Sequence, residues 1–194
     1  LETLINMNKQ DSIRRVSVFC GSCIGNISVY EEAAKELGKL LALENIELIY
    51  GGGGIGLMRT VADAVLQHGG TVTGVLPCFF DTPGIAHENI TKMIIVRSMS
   101  ERKEKMVELS DAFIILPGGY GTLDELFEVI VYSQLGLHNK AVAVLNTNHF
   151  YDPLFCQLDR MQEDGFLGTV HRNMLIDDSN PAELIRKIIT SYKL

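Results

Sequence analysis

The chain has 194 residues, 46% hydrophobic and 21% charged, proportions that support one globular core and exclude a disordered chain. Seventeen Lys and Arg against 24 Asp and Glu leave a net charge of −7. The overall field therefore repels nucleic acid, and any anionic ligand needs a local cationic pocket. No apolar run approaches the roughly 18 residues of a membrane span. Residues 1–12 read as a short N-terminal tail without the features of a secretory signal, and four cysteines make no disulfide framework. The expectation is a cytoplasmic protein.

From Arg14 onward, short apolar runs alternate with helical patterns. Arg15–Cys20 reads as a strand ending at Gly21, and Ser28 opens a helix in which Glu31 completes an S-x-x-E capping box. Ile46–Tyr50 is a second strand that runs into Gly51–Gly54, followed by a helix over Leu57–Gln67. Thr71–Leu76 is the third strand, residues 78–91 form a loop around Pro83-Gly84, and Lys92–Val96 is a fourth strand. Ser98 caps a helix to Leu109 through a second S-x-x-E box with Glu101. Ala112–Leu116 enters the segment PGGYGTLDE, with a helix over Thr122–Leu135. Ala141–Leu145, a helix over Tyr151–Glu163, a short strand at Met174–Ile176 and a Pro-initiated terminal helix after Asn180 complete the pattern. Apolar strands alternating with helices predict one α/β domain over 13–194, a doubly wound parallel sheet covered on both faces in three layers, α/β/α.

Ligands of such sheets bind where strand carboxyl ends turn into helices, and three of these turns are rich in glycine. Gly51, Gly53 and Gly56 satisfy G-x-G-x-x-G, but the next strand ends Leu76-Pro77-Cys78 without the carboxylate that a nicotinamide ribose requires. Pro117–Glu125 is more specific. Gly118, Gly119 and Gly121 free several N–H groups to converge, and Thr122 adds a hydroxyl, which makes a phosphate cradle. No Lys-Ser/Thr follows, so it is no Walker A loop. Two readings of Glu125 stay open: partner of Thr122 in a capping box, or a carboxylate set beside an anion site for chemistry. Arg102 and Lys103 lie in the first turn of their helix, where the macrodipole disfavours cations and an anionic partner is invited. Cys20-x-x-Cys23 has neither thioredoxin-like surroundings nor a second cysteine pair for zinc, and the five His are scattered. No metal site is legible.

The segments VFCGSCIG, GGGGIGLM, SMSERKEKM, SDAFIILPGGYGTLDEL and QLGLHNKAVAVLN together resemble the LOG (Lonely Guy) family of cytokinin riboside 5′-monophosphate phosphoribohydrolases, many once labelled possible lysine decarboxylases. The resemblance covers about 14–170. It implies a Rossmann-like fold, a homodimer, and hydrolysis of the N-glycosidic bond of a nucleoside 5′-monophosphate to free base and ribose 5-phosphate, without cofactor or metal. By position, Arg102 and Glu125 match the catalytic pair. Lys103 and the run Gly119, Tyr120, Gly121, Thr122, Leu123 and Asp124 match substrate-binding positions, with Ser22 helping to hold the phosphate and Met99 lining the site. Three departures stand out: Cys23 in place of a second Ser, Arg59 where the family has Gly, and Gly84 where it offers a substrate-binding Glu. Pyridoxal chemistry would need a Schiff-base Lys, for which no lysine here has the context. The alternative to an enzyme is a non-catalytic nucleotide-binding or carrier module of related fold.

Overall fold

In the computed structural model, which describes residues 12–192, seven strands form one parallel sheet. They are β1 (Arg15–Phe19), β2 (Glu47–Tyr50), β3 (Val72–Pro77), β4 (Lys92–Val96), β5 (Ala112–Ile115), β6 (Ala141–Leu145) and β7 (Leu175–Asp178), in the order β4-β3-β2-β1-β5-β6-β7. The helices are α1 (Ser28–Leu43), α2 (Gly56–Gln67), α3 (Met99–Leu109), α4 (Tyr120–Gln134), α5 (Asp152–Glu163), α6 (Thr169–Arg172) and α7 (Pro181–Tyr192). The expected doubly wound sheet is thus what forms. The expected tail at 1–12 lies outside the described residues except for Ser12.

The period of two divides the core cleanly. Val16 and Val18 of β1, Leu48 and Tyr50 of β2, and Ala112 and Ile114 of β5 face α1, α2 and α7. Phe19, Ile49, Phe113 and Ile115 face the opposite layer, where Met106 of α3, Leu126 and Val129 of α4, and Leu158 of α5 meet them. The chain winds outward from β1 to β4, then crosses through α3 to β5 on the other side of β1. The strand order therefore reverses between β1 and β5, which opens a crevice at their carboxyl ends.

The expected capping box at Ser28 is corrected here, and the capping reading left open for Thr122 and Glu125 fails. Ser28 is the first residue inside α1, with Ile27 at the N-cap and no side-chain cap bond, and Glu31 pairs instead with Lys35 at 2.7 Å. α4 begins at Tyr120, with Gly119 at its N-cap, so Thr122 caps nothing and Glu125 lies in the second turn. The box at α3 holds: Ser98 Oγ accepts from the Glu101 amide at 3.1 Å, while Glu101 reaches back to the Arg97 amide at 2.8 Å. Sequence patterning did not predict α6 or the 3₁₀ turns at Cys78–Phe80 and Thr147–His149, each too short for a period to register.

Candidate active site

The crevice between β1 and β5 is built by backbone that tolerates no side chains at two points. The Gly21 amide donates to Pro117 O at 3.1 Å, joining the first and third glycine turns. A Cβ on Gly118 would overlap Thr122 Oγ1 and crowd the Gly21 nitrogen. Gly56 has φ of +60°, and a Cβ there would collide with the Ser22 carbonyl, which locks the middle turn onto the first. Ser22, Gly118 and Gly119, with Tyr30, Leu57 and Phe150, line a cavity of about 300 Å³.

α4 aims its N-terminus at this crevice. The Leu123 amide donates back to the O of the N-cap Gly119 at 3.1 Å, so the amides of Tyr120, Gly121 and Thr122 have no helical carbonyl a turn behind them. Gly119 and Gly121 stand in open space, and Tyr120 is 94% exposed. Leu123 points the other way and packs on the α3–α4 side of the core.

Behind the cradle, Arg102 of α3 and Glu125 of α4 meet in a buried ion pair between Nη2 and Oε1. The two side chains are only 13% and 8% exposed. Burial pushes the Glu125 carboxyl up to about 7, with the neighbouring Asp124 charge adding to the rise and Arg102 opposing it. Arg102 Nη1 lies 3.8 Å from Met99 Sδ, and its Nε makes no hydrogen bond among the described residues. The wall against the guanidinium is Gly51: a Cβ there would stand 2.8 Å from Nη2. Cys20 at the end of β1 is buried nearby, and desolvation and the Glu125 charge hold its thiol protonated. Lys103 turns away from the pair to Asp124 at 3.1 Å and Glu128 at 2.5 Å. These contacts, that with Glu128 foremost, raise its affinity for its proton.

The structure thus brings Met99, Arg102, Lys103, Thr122, Asp124 and Glu125 to one end of α3 and α4, facing the turn that carries Ser22. Sequence reasoning read Gly51 only as part of the middle glycine turn, not as the wall against Arg102, and it missed Glu128. Glu128 sits four residues after Asp124 on the same helical face, a spacing that marks it as a second carboxylate for one lysine. Of the departures, Arg59 pairs with Asp63 at 3.2 Å. Gly84 lies at φ of +83° with nothing near it, and Glu88 lines the adjoining cavity of about 210 Å³. Among the described residues, no three His, Cys, Asp or Glu side chains gather as metal ligands, and no helix is long and apolar enough to cross a membrane.

Known proteins share both the sequence and the fold. A family described as "possible lysine decarboxylase" matches residues 58–188. The probable cytokinin riboside 5′-monophosphate phosphoribohydrolase LOGL2 of Oryza sativa subsp. japonica is 45% identical over 95% of this chain and 75% of its own length. The cytokinin riboside 5′-monophosphate phosphoribohydrolase LOG1 of Arabidopsis thaliana is 42% identical over 94% and 85%. Among solved structures, the molybdenum cofactor binding protein of Rippkaea orientalis superposes with a TM-score of 0.69 over 91% of this chain and 97% of that one, at 23% identity. The molybdenum cofactor carrier protein of Chlamydomonas reinhardtii gives 0.68 over 92% and 97%, at 19%. At those identities the likeness is one of fold. The identity to the plant proteins reaches further and extends over nearly the whole chain: this protein is an enzyme of the LOG phosphoribohydrolase family.

Proposed function

We propose that the protein hydrolyses the N-glycosidic bond of a nucleoside 5′-monophosphate, AMP or a cytokinin riboside 5′-monophosphate, giving free base and ribose 5-phosphate with water as the second reactant. The observation that carries this reading is the buried Arg102–Glu125 pair, placed directly behind a helix N-terminus with free amides. The 5′-phosphate rests on the amides of Tyr120, Gly121 and Thr122, with the Ser22 hydroxyl opposite, where the α4 dipole favours an anion. That anchor positions the ribose. Cleavage gives the ribose oxocarbenium character, and Glu125, ionised and poorly solvated, stabilises it and orients the attacking water. Arg102 holds the Glu125 carboxylate and keeps guanidinium donors for the phosphate or the departing base. Lys103, fixed by Asp124 and Glu128, contributes positive potential without carrying the chemistry.

The same reading makes the protein a homodimer. Its support is the apolar outer side of α4, where Phe127, Val131 and Leu135 are exposed.

The test is a panel of nucleoside monophosphates with product analysis. AMP or an N6-substituted AMP should release base and ribose 5-phosphate, and adenosine should be cleaved poorly because it lacks the group that the cradle binds. Equal turnover of adenosine and AMP would overturn the reading.

A further inference from the structure

The loop between β3 and β4 is held by contacts that the reaction above does not use. It lies across the middle glycine turn as a short antiparallel bridge, Gly53 opposite Ala86. The Gly54 amide donates to Ile85 O at 2.7 Å, and the His87 amide to Gly52 O at 3.0 Å. His87 is only 8% exposed, and both ring nitrogens are engaged. The Asn89 amide donates to Nδ1 at 3.2 Å, so Nδ1 is unprotonated and the ring proton sits on Nε2, which donates to Asp63 Oδ1 at 3.0 Å. The other Asp63 oxygen, Oδ2, accepts from Arg59 Nε at 3.2 Å. Arg59 departs from the resemblance that most of the chain follows, and here it has a structural partner. Arg59 and Asp63 are one turn apart on α2, so the chain Arg59–Asp63–His87 ties the loop to α2 on one side of the turn. On the other side of the same turn, Gly51 abuts the Arg102 guanidinium.

We propose that His87 is a positioning residue for the hydrolysis. As a neutral, Nε2-protonated imidazole anchored on Asp63, it clamps the 81–91 loop over Gly52–Gly54 and so fixes the Gly51 wall that sets Arg102 against Glu125. The inference rests on the proposed hydrolysis, and it makes a structural claim that does not depend on activity. The loop shares no residue with the phosphate cradle, and the middle turn meets the cradle at Gly56 against Ser22, so releasing the clamp should lower kcat far more than phosphate affinity. A shift of about 1 Å at a catalytic group is enough to cost one to two orders of magnitude.

The experiment uses two substitutions that divide the ring's functions. In His87→Gln the terminal amide still reaches Asp63 as a donor. In His87→Asn the shorter side chain serves the Asn89 amide but falls short of Asp63. With AMP as substrate, His87→Asn should lose about tenfold in kcat, and His87→Gln should retain most of it. Competitive inhibition by inorganic phosphate should stay within twofold of wild type in both. Hydrogen exchange should rise at Gly54 and His87 in the Asn variant, whether or not AMP is cleaved. Leu184→Ala, on the buried face of α7 and outside the residues of the site, is the stability control: it should lower the melting temperature and leave kcat unaltered. The proposal is overturned if His87→Asn is folded with wild-type kcat and exchange, if both variants lose kcat equally, or if Leu184→Ala loses as much kcat as His87→Asn. If wild type itself leaves AMP and its N6-substituted forms intact, the hydrolysis reading fails, and exchange at Gly54 still decides whether the clamp exists.

Discussion

Glu125→Gln separates the charge of the central carboxylate from its shape. Gln fills the same volume and can still accept a hydrogen bond from Arg102, so folding is retained while the ionisable proton is lost. Raising the carboxyl from 4.5 to about 7, at about 1.4 kcal/mol for each tenfold change in proton affinity, corresponds to about 3 kcal/mol. The sign follows from the direction of the rise: the folded protein holds this proton more tightly than the unfolded chain. That contribution is complete below pH 4.5, erodes as pH rises, and is gone above pH 7. Urea unfolding of both proteins at pH 4 and pH 8 should therefore show wild type losing about 3 kcal/mol relative to the Gln variant. Titrating groups remote from Glu125 cancel in the difference between the two proteins, which leaves Glu125 and the charges coupled to it, Asp124 and Glu128 among them. AMP hydrolysis by the Gln variant should fall by on the order of 10²-fold or more, the usual loss for a key electrostatic group. A stability difference independent of pH would refute the buried, proton-retaining carboxyl. A folded Gln variant with wild-type turnover would refute its catalytic role.

On the proposed mechanism the ionised form of Glu125 faces the developing cation, so kcat/KM for AMP should rise with pH through about 7; a flat profile between pH 5.5 and 8 would contradict this. Gly51→Ala should fold, since only the mobile end of Arg102 lies in the way, yet lose at least about tenfold in kcat as the guanidinium is displaced; circular dichroism and turnover together check it. Light scattering at micromolar concentration should give the mass of a dimer, and a monomer of 21.5 kDa would refute the homodimer.

The fold was legible because its signal is redundant. The core strands are apolar on both faces and alternate with helices along the chain, so the parallel, doubly covered sheet follows from the order of the pattern. Helix starts were less legible, and the three S/T-x-x-E boxes show why. The motif spans four residues, but which of them becomes the N-cap depends on the direction in which the preceding turn delivers the chain. At Ser98 the turn leaves the serine extended, and the box closes. At Ser28 the helix includes the serine, and Glu31 faces Lys35 instead. At Thr122 the Gly118-Gly119 turn puts the N-cap of α4 at Gly119, three residues before the Thr122 that the box requires. That offset carries Glu125 away from the helix end and into contact with Arg102. The candidate residues were therefore visible as motifs, while the pairing of Arg102 with Glu125, 23 residues apart, needed the crossover from β4 to β5. The contact of Gly51 with Arg102 and the His87 clamp left no signature, because each depends on groups brought close only in the folded chain.

The local energetics of the site are consistently poor for a protein without substrate, and all in one sense. Arg102 places a cation in the opening turns of α3, against the positive end of the dipole. Its Nε makes no hydrogen bond among the described residues, and its partner carboxylate is desolvated enough to hold its proton near neutrality. A buried pair of this kind adds little to stability, since desolvation offsets most of the attraction. The arrangement improves only when charges of the right sign arrive together. A phosphate at the α4 amides compensates the dipole ends and the Arg102 cation, and a ribose with oxocarbenium character beside Glu125 favours the ionised carboxylate. The ground-state substrate supplies the first charge, and the second appears only as the glycosidic bond lengthens. Interactions realised late in this way raise kcat more than they tighten binding, so on the proposed reading these unfavourable features become stabilising at the transition state.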